Sequence, residues 1–535
     1  MRKALYILLP FLIALSFRIY PTLLSGLPFS TDAWPLIRNA EQLVRNTPVY
    51  LGNKDIFDGY NNYWPASSIF GAILSETLGA SVVTTISLGI PLAATLSILI
   101  FYVLTNKLYR NHELAFLASA VLAVAFPYAI FTAGVTKETY AHPIYVLSIL
   151  VFLNREFWKR IIIFTTVSAA LIMTHHLTSV IILAILINIT LHKTVSGFLM
   201  GSDINKIDYI MVSIMGGINV IYFAMYAHMG LKLVITAGDW LSAWSYQTIA
   251  LVMALYLSLK PYRPSGTWIF LKCAAATALT SAVFLLLTKR SVVPGAPILP
   301  SSYIIYALPF IIASSLTVLG LRGSSDTESG YSSVPLLWIL SVLGFEGYAI
   351  FGGSPISFVL AYRALNFLWP PLALTCALGI HRISSISKSN GGVSKFLAIV
   401  LLAFLLIPSC LGFYSAISLQ ERYLGYFWLY REQEYSCASW ISEFNDRVLA
   451  GDVKFAYLLE GYFSSEVDEL QGLMYLSGMN SSKPAVLLTY DGMSQNGYVL
   501  YGGISIELPR NWREILSDLN FIYSNGYVNV YSNGS

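Results

Sequence analysis

Apolar runs of 17–22 residues recur along the first ~415 positions, broken by short polar stretches. Runs of that length cross a hydrocarbon layer of ~30 Å as helices, while the fifth and sixth of the segments below are shorter, about 15 residues each, and suit a tilted or pinched bilayer. The pattern predicts about thirteen membrane helices, near 4–20, 82–104, 114–134, 139–154, 160–174, 177–191, 208–228, 243–259, 267–288, 302–320, 334–352, 363–380 and 396–416. The first run, "MRKALYILLPFLIALSFRIY", has no small-x-small cleavage site behind it and reads as a retained first helix. The stretch 66–80, "ASSIFGAILSETLGA", reads as an interfacial amphipathic helix. From about 417 the texture changes. "CASWISEFNDRV" reads as a short amphipathic helix, and "AVLLTYDG", "YVLYGGISIEL" and "FIYSNGYVNVYS" read as strands. Asn525-Gly526, between alternating apolar residues, predicts a type I′ hairpin. The fold class expected is a polytopic α-helical membrane protein (residues 1–416, with a long first loop over 21–81) carrying a small C-terminal α/β domain (417–535).

Composition agrees. The chain of 535 residues is 56% hydrophobic and 11% charged, against about 25% charged in soluble domains. The formal charge of +4 hides an asymmetry: residues 417–535 hold 14 acids and 7 bases, near −7, which leaves the rest near +11. A basic membrane part with an acidic tail argues against nucleic-acid binding and for two compartments. Lys and Arg in the short loops divide fifteen to five when the N-terminus is cytoplasmic. That orientation, with an odd number of spans, puts the first loop and the C-terminal domain outside the cell membrane. Three of the four cysteines (Cys273, Cys376, Cys410) lie in apolar runs and Cys437 lies in the tail, which offers no disulfide framework and no CxxC motif.

On that orientation, ionisable residues gather on the outer side. Asp32, Asp55 and Asp58 are in the first loop, Lys137, Glu138 and His142 in "GVTKETYAHP", and His175 and His176 at the junction of the fifth and sixth helices. Lys289 and Arg290 end the ninth, Glu346 lies inside the eleventh and Arg363 begins the twelfth. An ionisable group at membrane depth is costly unless paired or hydrated, which makes Glu346 a functional candidate. Lys289-Arg290 break the positive-inside bias, so an anionic partner such as a lipid phosphate suits them. The twin histidines suit a metal or a phosphate, although adjacent helical side chains point about 100° apart. Tyr and Trp in "DGYNNYWP" (58–65) suit stacking on a sugar, and Asn480 opens an N-glycosylation triplet. Asp32 has a second reading, since "STDAWP" is also an N-cap followed by an early helical proline.

The first-loop aspartate, the second acid in the loop after helix three, the odd span count and the C-terminal outer domain together resemble the GT-C superfamily of membrane glycosyltransferases. The layout looks most like the oligosaccharyltransferase catalytic subunit. The phrases "TKETYAHP" and "MTHHLTSVI" look like archaeal relatives of the protein O-mannosyltransferases. The resemblance implies Asp32 as catalytic carboxylate and Glu138 as second carboxylate, the two holding a divalent metal (Mg or Mn). It implies a polyprenyl-phosphate-linked sugar as donor, dolichyl phosphate in archaea, with a protein, glycan or lipid as acceptor, among membrane lipids. The chain departs from both subfamilies. It has no Trp-Trp-Asp-Tyr-Gly motif, and Ala33 follows Asp32 where O-mannosyltransferases carry a glutamate.

Chemistry supports the same residues. Glycosyl transfer from a lipid phosphate passes through an oxocarbenium-like state. The acceptor must lose a proton, which a carboxylate at about 2.6–3.2 Å accepts. The leaving phosphate needs positive charge, and Arg363 with Lys289 or Arg290 would supply it. A transporter or flippase for a lipid-linked or anionic substrate is the alternative, favoured by Glu346 and the outer bases and opposed by the lack of repeat symmetry. A noncatalytic surface scaffold is a third reading.

Overall fold

The computed structural model describes residues 2–46, 48, 59–154, 157–201, 205–231, 236–259, 266–293, 298–324, 333–352, 357–386, 392–418, 428–479, 482–501 and 504–534. Asp55, Asp58 and Asn480 lie outside the described residues. In chain order the helices are α1 (Arg2–Ser25), α2 (Ala33–Arg45), α3 (Ala66–Leu78), α4 (Val82–Tyr109), α5 (His112–Val124), α6 (Tyr128–Ala133), α7 (Lys137–Phe152) and α8 (Phe157–Thr174). They continue with α9 (His176–Met200), α10 (Lys206–Met225), α11 (Ala237–Leu259), α12 (Gly266–Leu287), α13 (Ile304–Ser324), α14 (Val334–Phe351), α15 (Ser357–Ile386) and α16 (Val393–Ile417).

Helix occupies all thirteen segments that the apolar pattern predicts. Among the described residues, nine helices are long and apolar enough to cross a membrane by length and composition. Three of the other four segments depart for visible reasons. The 114–134 segment is divided at Phe126-Pro127 into α5 and α6. Helix α7 has only 16 residues, and the first half of α11 carries Asp239 and Gln247. The chain is a multi-pass membrane protein with a small C-terminal sheet region.

The chain divides into two compact units. One holds Met1–Phe17, Ala93–Thr132 and Tyr140–Phe413. Its core runs through α5, α7, α14 and α15, where Trp338 donates its indole N–H to the Tyr145 hydroxyl. Small residues allow close helix approach: a Cβ on Gly320 of α13 would collide with the Thr375 carbonyl of α15. A buried ionic cluster ties α8, α9 and α10. Asp208 accepts from Arg160 through one oxygen and from Lys193 through the other, the latter at 2.9 Å.

The second unit holds Arg18–Leu92, Ala133–Thr139 and Tyr414–Ser535. Helix α3 is short, as its pattern predicts, and packs on α2, with the Ser68 hydroxyl donating to the Leu36 carbonyl at 3.1 Å. The C-terminal part has α17 (Glu432–Phe444), β1 (Leu449–Ala450), α18 (Val453–Leu458), β2 (Val467–Asp468), α19 (Glu469–Leu476), β3 (Val486–Tyr490), β4 (Tyr498–Tyr501), β5 (Ile504–Glu507), β6 (Asn520–Ser524) and β7 (Val528–Ser532). Five strands form a mixed sheet in the order β2-β1-β3-β7-β6, with β1 parallel to both neighbours and β7 antiparallel to β3 and β6. Strands β4 and β5 form a separate antiparallel pair.

The hairpin at Asn525-Gly526 exists but is not type I′. That turn needs positive φ at both central residues, and here Gly526 has it (+84°) while Asn525 does not. Instead the Asn525 side chain accepts from the N–H of Val528 at 2.9 Å, and β6 changes register between Phe521 and Tyr523. All four cysteines are free thiols, and burial pushes the Cys437 thiol up to about 12.

Candidate active site

Asp32 occupies the N-cap position of α2, as "STDAWP" predicts, with φ −64° and ψ −11°. Its side chain makes no capping hydrogen bond. A capping carboxylate is normally spent on the N–H groups of the first turn, so the helix explains where this residue sits but not why it is an acid. The loop before it is tightly specified. Ser30 has φ +123°, rare for a residue with a side chain, and its hydroxyl accepts from the Asp32 N–H at 3.2 Å.

Three distant pieces of the chain meet here. The Phe29 carbonyl accepts from the Val135 N–H at 2.6 Å, and the Ser30 N–H donates to the Trp428 carbonyl at 2.9 Å. Phe29 and Leu429 form an antiparallel bridge. Asp32 and Glu138 each follow the hydrogen-bonded Phe29–Val135 pair by three residues, so both acids leave from one short backbone junction. Glu138 is buried in the first turn of α7, where the helix dipole favours a negative charge. Thr136 supports that turn by accepting from the Thr139 N–H at 3.0 Å.

Lys137 beside it is buried too, its ammonium 3.6 Å from the Tyr60 ring centroid and 5.3 Å from that of Trp64. The aromatics of "DGYNNYWP", expected to stack on a sugar, thus hold a cation in this structure. This clamp has no local sequence signal, because Tyr60 and Lys137 are far apart in the chain.

Helix α2 is fixed by rings. Trp34 is fully buried, stacked on Tyr435 at 5.6 Å and meeting Tyr430 edge-on at 5.2 Å. A π-helical turn, Leu459–Phe463, continues α18 against it. There Tyr462 donates to Glu41 at 2.9 Å and Gly461 packs on Pro35, where a Cβ would approach the ring to 3.1 Å.

In the other unit, the structure brings Arg363 of α15 to His175, with Nη1 and Nε2 3.5 Å apart. His175 N-caps α9, its Nδ1 accepting from the Thr178 N–H at 3.4 Å. The His176 ring lies 5.0 Å away, tilted by 51°. Lys289 and Arg290 are exposed just past the end of α12. Glu346 lies within α14, its Oε1 buried and, among the described residues, without a hydrogen-bond partner.

A divalent metal would find two carboxylates at the Asp32–Glu138 junction. Among the described residues there is no group of three or more His, Cys, Asp or Glu side chains placed to hold an ion. Two carboxylates do not make a closed structural zinc site. They do suit a hard cation that keeps water and shares substrate phosphate oxygens.

No protein-family model and no curated protein matches the sequence. Solved structures do. The Archaeoglobus fulgidus oligosaccharyltransferase, crystallised with Zn and sulfate, superposes with a TM-score of 0.59 at 12% identity, over 99% of this chain and 73% of that one. ArnT from Cupriavidus metallidurans gives 0.38 at 11% identity in its apo state, over 99% of this chain and 97% of that one. Bound to undecaprenyl phosphate it gives 0.37 at 12% identity, over 99% and 98%. The chain shares the fold of the archaeal oligosaccharyltransferase.

Proposed function

We propose that this chain is a membrane glycosyltransferase. It moves a sugar or oligosaccharide from a polyprenyl-phosphate-linked donor to a protein, glycan or lipid acceptor at the outer membrane face, with Asp32 as general base. The observation that carries the reading is the placement of Asp32, set by a strained loop at the head of α2 and joined to Glu138 through one backbone junction. The fold supports it only at the level of architecture, because one fold hosts many activities. The orientation rests on the excess of bases in the loops assigned to the cytoplasm.

In this reading the acceptor approaches Asp32, which takes its proton as the acceptor attacks the anomeric carbon. The C–O bond to phosphate breaks and the lipid phosphate leaves with the electron pair. A single displacement inverts the anomeric centre. Arg363, steadied by His175, meets phosphate oxygens as a planar fork, and exposed Lys289 and Arg290 attract the anionic headgroup. If a divalent metal takes part, as the Zn of the archaeal structure invites, Asp32 and Glu138 would hold it, and it would neutralise charge on the phosphate.

One observation favours transport of a lipid-linked or anionic substrate instead: inside an apolar helix, the buried Oε1 of Glu346 has no hydrogen-bond partner among the described residues. Purified protein in liposomes separates the two. Transfer of labelled sugar from a polyprenyl-phosphate donor without flux supports the enzyme. Flux of the donor without transfer overturns it.

A further inference from the structure

The loop bearing Asp32 is held from outside its own helix. Ser30 at φ +123° stores strain, about 1–3 kcal/mol for a residue other than glycine, so the loop keeps its shape only while its neighbours hold it. One neighbour is the 428–430 segment, which bonds Ser30 and bridges Phe29. That segment rests on a buried ion pair. The Lys454 ammonium donates to the Leu429 carbonyl at 3.1 Å and pairs with Glu434 at 2.6 Å, both side chains only 1% exposed. The other Glu434 oxygen accepts from the Arg431 N–H at 2.8 Å. The Tyr430 hydroxyl donates to the Lys454 carbonyl at 2.8 Å, and its ring meets Trp34. The rings of Tyr430 and Tyr490 flank the ammonium at 5.0 and 5.1 Å.

A buried ion pair is no better for stability than well-packed apolar side chains. What an apolar residue cannot do is donate to the Leu429 carbonyl. We propose that Lys454 is a positioning residue: neutralised by Glu434, its ammonium fixes the 428–430 segment, which fixes the Ser30 loop and the aim of Asp32. The catalytic part of this statement rests on the reading of Asp32 as a base.

The test uses full-length purified protein as wild type, Lys454→Met, Lys454→Arg and the double variant Lys454→Met/Glu434→Leu. It reads kcat and donor KM for transfer, the unfolding midpoint, and hydrogen exchange of peptides covering residues 27–34. Lys454→Met should lower kcat about 100-fold, as a misaimed reacting group does, leave donor KM unchanged and speed exchange at 27–34. Lys454→Arg, which keeps an N–H donor, should recover most of kcat. The double variant removes the unpaired charge and should regain the midpoint but not kcat. Recovery of kcat together with the midpoint would reduce Lys454 to a structural residue and overturn the proposal, as would unchanged exchange at 27–34 in both methionine variants. If wild type transfers no sugar, the reading of Asp32 falls, and the exchange measurement still decides whether Lys454 holds the loop.

Discussion

Asp452 is fully buried in the C-terminal sheet region, and its chemistry makes a quantitative prediction. One carboxylate oxygen accepts from the Phe455 N–H at 3.2 Å and the other from the Tyr490 hydroxyl at 2.7 Å. Burial pushes its pKa from 3.8 up to about 6. The hydrogen bonds from Tyr490 and Phe455 and the charge of Lys454 pull the other way, and Glu434 adds to the rise. Between about pH 4 and pH 6 the folded state therefore binds more protons than the unfolded state, and stability falls as pH rises through that window. A shift of roughly two units is worth about 3 kcal/mol. Asp452→Asn keeps both hydrogen bonds, its amide oxygen accepting from Phe455 and its amide nitrogen donating to Tyr490. The variant should match wild type near pH 4 and exceed it by up to about 3 kcal/mol near pH 7. Hydrogen exchange of Val486–Tyr490, corrected for the intrinsic rate at each pH, reads the local opening free energy directly. A variant less stable than wild type at neutral pH, or a difference that does not change with pH, would refute the reasoning. It would mean that Lys454 keeps the carboxylate ionised in the fold.

Asp208→Ala should leave the Arg160 guanidinium buried without its carboxylate and cost about 3–5 kcal/mol, read as a lower unfolding midpoint in detergent; an unchanged midpoint would contradict the pairing. Gly320→Ala should force α13 away from the Thr375 carbonyl and cost about 1–3 kcal/mol in the same assay. Gln495→Cys, exposed in the C-terminal part, should react with an impermeant maleimide on intact cells. Labelling only after permeabilisation would reverse the orientation drawn from the loop charges.

The helices were legible because a bilayer demands long apolar runs: helix occupies all thirteen predicted segments, and among the described residues nine helices are long and apolar enough to span. Their polish was less so. Pro127 marks the break within 114–134, and Asp239 and Gln247 mark the more polar first half of α11. Asp32 stood out as an acid just behind an apolar helix. The cap reading describes its backbone, but sequence does not say where a side chain points, and the capping bond is not made. The platform beneath it was not legible. Phe29 meets Leu429 through a single bridge across some four hundred residues, and no local pattern encodes that pairing. Lys454 and Glu434 read as ordinary tail charges, although they are among the most buried groups there. At Asn525-Gly526 the dipeptide marks the hairpin, while the register change in β6 and the Asn525 side chain select another turn.

The most direct test of the central claim is transfer of radiolabelled sugar from a polyprenyl-phosphate pool by purified wild type and Asp32→Asn, with donor binding measured in parallel. The account predicts transfer by wild type and a loss of at least about 100-fold in the variant with donor binding retained, as expected when a general base is removed. Full transfer by Asp32→Asn would contradict it.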